Sequence, residues 1–147
     1  MSLKQIAKIR SQAELFELLR GQGIAPTQQR IEIAKILLAR PQHLAADQVM
    51  SMVNRKGERV SKATVYNTLK LFASKGLLRE VIVDPVRVFY DSTVTPHYHT
   101  YNVDTGTLTD ISVDVMPLAA VPAAPAGTVT EGVDVIIRVR NAHTAAG

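Results

Sequence analysis

The chain has 147 residues, 46% of them hydrophobic, enough for one ordinary domain or two small ones with a modest core. It has no cysteine, which excludes disulfides and thiolate zinc sites, and no apolar run near the ~18 residues of a membrane span. The formal charge of +4 is unevenly placed: residues 1–90 carry 15 Lys and Arg against 7 Asp and Glu (+8), and residues 91–147 carry 2 against 6 (−4).

That asymmetry is expected of a nucleic-acid-binding front half joined to a part with another role, the alternative being a solvated basic surface. The opening MSLKQIAKIR is polar and basic, without the apolar stretch of a secretory signal. A cytoplasmic protein with no membrane partner is expected.

Ser11-Gln12-Ala13-Glu14 is an S-x-x-E capping box, followed by Leu15, Leu18 and Leu19 at helical spacing and by Gly21 and Gly23 as stops. A second helix starts near Thr27, presents Ile31, Ala34, Leu37 and Leu38 on one side, and ends at Arg40-Pro41. A third is expected from about Leu44 to Asn54, with Val49, Met52 and Val53 apolar, before the basic turn Arg55-Lys56-Gly57. Ser61 caps a fourth, in which Val65, Leu69 and Phe72 recur at i, i+4, i+7 before Gly76.

The period then changes. Leu77–Val83 and Val86–Tyr90 are rich in β-branched and aromatic residues and flank an Asp84-Pro85 turn. Helices followed by a hairpin give a winged helix-turn-helix, with the fourth helix as recognition element and the hairpin as wing. The segment STVTP reads as a hinge, and Tyr98–Val103 with Thr107–Ile111 as a second hairpin around Asp104-Thr105-Gly106. Residues 116–132 are rich in Pro, Ala and Gly and read as an irregular loop. Val133–Arg140 alternates as a further strand, available for pairing across a dimer, and the terminal NAHTAAG is expected to fray. The fold class is therefore α+β. A winged-helix domain spans 1–91, a hinge 92–96, and a small α/β dimerisation and sensing domain 97–147.

With Val65, Leu69 and Phe72 facing a core, Lys62, Thr64, Tyr66, Asn67 and Lys70 remain on other faces of the fourth helix. Lys neutralises phosphate, Asn can pair with an adenine edge, and Tyr can donate to phosphate or pack on a thymine methyl. Gln28 and Arg30 open the second helix, where a helix N-terminus attracts phosphate. An amphipathic helix with an ordinary wet face is the plainer alternative.

Five metal-capable residues are spread over the chain: His43, Asp91, His97, His99 and Asp110. His97 and His99 form an H-x-H pair whose side chains share one face if the segment is a strand. Three imidazoles and two carboxylates suit Fe²⁺, Mn²⁺ or Zn²⁺ better than Ca²⁺ or Cu⁺. Such a site would tie the helical half to the rest only when metal is present. Taken singly, each residue has a plain role as a surface or strand-end polar group.

On these stretches the chain resembles the ferric uptake regulator (Fur) family: APTQQR (25–30), PQHLAADQV (41–49), SKATVYNTL (61–69), Gly76-Leu77-Leu78, FYD (89–91) and PHYHTYNVDTGTLTDI (96–111). The resemblance implies a homodimeric, metal-responsive transcription factor that binds AT-rich inverted repeats in double-stranded DNA, with Tyr66 in the major groove. It carries over as metal ligands His43, Asp91, His97, His99 and Asp110. Aspartate at both acidic positions resembles the peroxide-responsive (PerR-type) branch. That implies a regulatory Fe²⁺ or Mn²⁺ site with one open position, Zn²⁺ being able to occupy it in a purified sample. It also implies that His43 or His97 is the ligand oxidised when peroxide reacts. The event is self-oxidation rather than turnover, so no enzyme is expected.

The chain departs from the family in three respects, one being that the Pro/Ala-rich loop replaces the helix that usually follows the second hairpin. Without cysteines it cannot hold the structural four-cysteine zinc of most relatives, so its dimer must rely on apolar strands, with Val133–Val139 the candidate. Pro96 and Tyr98 stand where a second regulatory site needs a His and an acidic residue. The same lack of cysteines is similar to the iron-response (Irr-type) branch, which makes haem sensing, with His97 or His99 as ligand, the nearest rival. A Mn/Fe-responsive Fur-type regulator, a metal-independent DNA-binding module and a small metalloenzyme are the further alternatives.

Overall fold

The computed structural model describes residues 11–55, 57, 59–94, 98–116 and 120–143. His97, Thr95-Pro96 of the expected hinge, Lys56 and the last four residues of the tail lie outside them. The chain divides into two compact units, Met1–Val94 and Thr95–Gly147. No helix among the described residues is long and apolar enough to cross a membrane.

In the first unit four helices and a three-stranded sheet follow in the order α1 (Gln12–Gly21), α2 (Gln28–Leu37), β1 (His43–Ala45), α3 (Ala46–Arg55), α4 (Lys62–Ser74), β2 (Arg79–Asp84) and β3 (Arg87–Asp91). Each of α1, α2 and α4 starts at a hydroxyl cap. Ser11, Thr27 and Ser61 accept from the backbone N–H groups of Glu14, Arg30 and Thr64, which satisfies one otherwise orphaned donor per helix. At the other end of α4, Gly76 takes φ +77°, and the Leu77 N–H bonds back to the Phe72 carbonyl. Only glycine adopts that left-handed turn without strain. Ser61→Ala should lower stability by about 1 kcal/mol, seen as a lower urea midpoint at unchanged m-value.

The core of this unit joins Leu15 and Leu19 of α1, Ile31 and Leu37 of α2, Val49 and Val53 of α3, and Val65, Leu69 and Phe72 of α4, all buried. Leu18 and Met52, apolar by spacing, are only partly buried against it. The third helix begins two residues later than the sequence suggests. Leu44 and Ala45 instead form β1, opposite Tyr90 and Phe89 of β3, and the Gln48 side chain accepts from the Ala45 N–H at the strand-to-helix junction. Sheet order is β1-β3-β2. β2 also starts later than its β-branched composition suggests, because Leu77 and Leu78 are buried in the core cluster just after α4. The wing turn closes when the Asp84 carboxylate accepts from the Val86 N–H.

The described elements of the second unit are strands: β4 (Tyr98–Asn102), β5 (Leu108–Ile111) and β6 (Ile136–Val139), ordered β5-β4-β6. Asn102 organises the hairpin turn, its side-chain oxygen accepting from Asp104 and Thr105 N–H. The following Gly106 takes φ +72°. Tyr98, Tyr101 and Leu108 are the buried apolar residues of this sheet. β6 is shorter than the alternation of 133–140 implies, and one of its edges pairs in parallel with β4 of its own chain. Between β5 and β6 the described residues form no helix or strand.

Candidate metal centre and nucleic-acid interface

The strand registers build two His–Asp pairs, one in each unit. In the first, β1 runs antiparallel to β3, and His43 stands opposite Asp91. Asp91 is almost wholly buried, and one of its oxygens accepts from the Thr93 N–H at 2.8 Å. The His43 ring meets Phe89 edge-on with centroids 6.1 Å apart. Ser92 clamps this end of the sheet: its hydroxyl accepts from the Gln42 N–H, its own N–H donates to the Gln42 carbonyl, and the hydroxyl is also within bonding distance of the Arg40 carbonyl. His43 therefore owes its position to a strand that local sequence does not announce.

In the second unit β4 and β5 place His99 opposite Asp110. His99 Nε2 lies 3.3 Å from Asp110 Oδ1, with the imidazole buried and the carboxylate half exposed. The backbone of His99 is held from the other side, its N–H donating to the Val135 carbonyl. Nitrogen and carboxylate ligands bind an ion such as Zn²⁺ at about 2.0–2.2 Å, so neighbouring ligand atoms at a right angle stand about 3 Å apart. The His99–Asp110 spacing already fits that geometry. The donor types also fit, since imidazole with carboxylate suits Fe²⁺, Mn²⁺ and Zn²⁺. Position 97, the other half of the H-x-H motif, lies outside the described residues.

The residues expected to meet DNA sit on the surface of α4 and the start of α2. Lys62, Tyr66, Asn67 and Lys70 are exposed, and Thr64 is half-buried. Lys62 Nζ lies 5.8 Å from the centroid of the Tyr66 ring. A groove of about 400 Å³ brings Gln28 and Arg30 beside Thr64 and Asn67. Both α2 side chains have partners of their own, Gln28 donating to Glu32 and Arg30 to the Ala25 carbonyl.

A second groove, about 490 Å³, lies between α4 and the wing and is lined by Tyr66, Lys70, Arg87 and Tyr90 among others. Burial, then the neighbouring Glu80 carboxylate and lastly the Tyr66 phenol, push the Tyr90 phenol up to about 12. Tyr90 therefore stays protonated at physiological pH and is hydrogen-bonded to Glu80, its register partner on β2. Sequence reasoning passed over Arg87. The available signal was a cation directly after the Asp84-Pro85-Val86 turn of the wing.

A model of the Ferric uptake regulator family matches residues 21–121. The peroxide operon regulator of Bacillus subtilis is 31% identical over 97 residues, which cover 66% of this chain and 67% of that protein. The peroxide-responsive repressor PerR of Staphylococcus saprophyticus is 30% identical over 92 residues, covering 63% of this chain and 62% of the relative. The chain thus spans about two thirds or less of the length of these relatives. A solved structure of the ferric uptake regulator from Pseudomonas aeruginosa with manganese has a TM-score of 0.63 at 24% identity, covering 85% of this chain and 96% of that one. That likeness is one of fold: a winged-helix part followed by a small dimerisation domain. By its matched residues and its architecture, the chain belongs to the Ferric uptake regulator family, a family of metal-responsive transcriptional regulators.

Proposed function

We propose that the protein is a homodimeric, metal-dependent repressor that binds duplex DNA through α4 and senses peroxide through oxidation of a ligand histidine. The observation that carries this reading is the pairing of a histidine with an aspartate across strands in each unit, His43 with Asp91 and His99 with Asp110. The proposed ligands of the regulatory ion are these four and His97. Both carboxylates are aspartates, and the Bacillus and Staphylococcus relatives carry names that specify peroxide. An Fe²⁺ ion held by these residues would supply the redox chemistry by which hydrogen peroxide adds one oxygen atom to a ligand imidazole, the second peroxide oxygen leaving as water. His43 and His97 are the proposed targets. Loss of one ligand weakens hold on the ion, and with it the DNA-binding form. Mn²⁺ in the same site sustains repression without that reaction.

For the homodimer, the apolar surface proposed is the edge strand β6, where Ile137 and Val139 remain exposed. No thiolate zinc contributes, since the chain has no cysteine.

The test is to load the protein with Fe²⁺ under anaerobic conditions, add hydrogen peroxide and map mass changes onto peptides. A one-oxygen gain on the His43 or His97 peptide is expected, with none in a Mn²⁺-loaded sample. An unmodified Fe²⁺ sample refutes peroxide sensing and leaves iron supply or haem as the signal. For the DNA-reading role, Lys62→Ala should weaken binding to all duplexes alike. It should also reduce the slope of log K against log salt by about 0.9, because one phosphate fewer is neutralised. An unchanged slope in filter binding or fluorescence anisotropy rules Lys62 out as a phosphate contact.

A further inference from the structure

The geometry points to the groove between α4 and the β2–β3 wing as a phosphate site, in which Arg87 and Lys70 hold the DNA backbone from opposite walls. This rests on the DNA-binding reading above and adds to it a residue of the wing that none of the family-matched motifs contains. The groove is about 490 Å³, with Tyr66 and Lys70 on one wall and Val86 and Arg87 on the other. If α4 lies in the major groove, the chain flanking that groove is a phosphodiester strand. The cleft beside α4 is where that strand passes.

Charge supports an anion there. Two cations, Lys70 and Arg87, face one carboxylate, Asp47, at the start of α3. Among the described residues no carboxylate pairs with either cation. Arg87 is oriented without being neutralised, because its guanidinium lies over the Phe89 ring at 5.7 Å from the centroid. That stacking contact leaves its N–H fork available, and the fork matches phosphate in a two-point bond. Next to it Val86 is 93% exposed at a turn fixed by Asp84. A fully solvated valine at that turn has no packing role in the isolated chain.

The experiment measures binding of the metal-loaded protein to a synthetic alternating adenine–thymine duplex over a range of salt. Arg87→Gln should lower affinity about tenfold and reduce the salt slope by about 0.9. The preference for this duplex over a guanine–cytosine one should not change, because a phosphate contact carries no sequence information. Arg87→Lys should restore the slope while recovering only part of the affinity. Arg40→Gln, an exposed cation elsewhere on the same unit, should leave the slope alone. An equal loss in Arg40→Gln overturns the inference by reducing it to general electrostatics. If Arg87→Gln fails to fold, Lys70→Gln on the facing wall should show the same drop in slope, and an unchanged slope there is equally fatal.

Failure of the two readings is distinguishable. Wild-type protein that binds no duplex in any metal state defeats the DNA-binding reading itself. Wild-type binding with an unaltered slope in Arg87→Gln defeats only the groove. The second source of phosphate is tested with inorganic phosphate replacing chloride at equal ionic strength, followed by tyrosine fluorescence. No saturable change is expected. A saturable change that disappears in Arg87→Gln, with the duplex slope intact, assigns the groove to a small anion and overturns the backbone track.

Discussion

His99→Ala should abolish the response to metal and leave the protein folded. Wild-type protein in Mn²⁺ at a hundredfold excess over its dissociation constant should gain about 2.7 kcal/mol of stability, since the ion binds only the native state. Its thermal transition should therefore move up by several degrees or more. In the variant that gain should vanish, and metal-dependent DNA binding with it. The reason is the geometry of β4 and β5. The imidazole is buried and holds Nε2 3.3 Å from Asp110 Oδ1, in the spacing of two ligands on one ion. Truncation leaves the strand intact, because the backbone N–H still reaches the Val135 carbonyl. Asp110→Asn is the companion change, nearly isosteric and on the exposed side of the pair. Metal-dependent stabilisation surviving in both variants would falsify a regulatory role for this pair.

Phe72→Ala should be the most damaging single change to the first unit. Its ring is completely buried on α4, in one cluster with Leu15, Ile31, Val49 and Leu69. Removing a buried aromatic costs about 3–5 kcal/mol from lost transfer energy and the cavity left behind. A domain of this size holds only about 5–15 kcal/mol in total. Equilibrium unfolding in urea should show a large fall in midpoint, with partial unfolding at physiological temperature. Tyr66, earlier on the same helix and on its exposed side, is the control. At 38% exposure, its replacement by Ala should alter DNA selectivity and leave the urea midpoint almost unchanged. A Tyr66→Ala protein that unfolds as readily as Phe72→Ala would make Tyr66 a packing residue.

What the sequence revealed follows from how local each signal is. Ser11, Thr27 and Ser61 announce their helices because a cap and an apolar repeat act within one or two turns. The exposed set Lys62, Tyr66, Asn67 and Lys70 follows from the helical period alone once Val65, Leu69 and Phe72 are placed inside. Strand β1 is different. Leu44, Ala45 and Ala46 suit a helix, and only pairing with β3, some 48 residues later in sequence, draws His43–Ala45 into a strand. That pairing puts His43 opposite Asp91, so the first His–Asp pair was legible as two residue types but not as a geometry.

The second pair was more open to sequence, because a short hairpin fixes its own register. The partner of β6 was not, since alternation identifies a strand without saying what it lies beside. Arg87 was missed for a related reason. A cation in a wing acquires meaning only from the helix across the groove, and that juxtaposition is tertiary.

The parallel pairing of β4 with β6 bears on how the second unit forms. His99 and Ile136 are register partners 37 residues apart, whereas the β4–β5 hairpin closes over a short turn. Closing the longer loop carries a greater entropic cost and slows folding. The hairpin holding His99 and Asp110 should therefore assemble first, and β6 should dock onto the far side of β4 as a later step. During synthesis that delay exposes the open edge of β4 until residue 139 has left the ribosome. Amides along β4 and just after it divide between the two neighbours: Asn102 N–H donates to the Thr107 carbonyl at the hairpin turn, while His99 and Val103 donate to Val135 and Val139. Pulse-labelling hydrogen exchange should find the Asn102 amide protected early and the His99 and Val103 amides protected late.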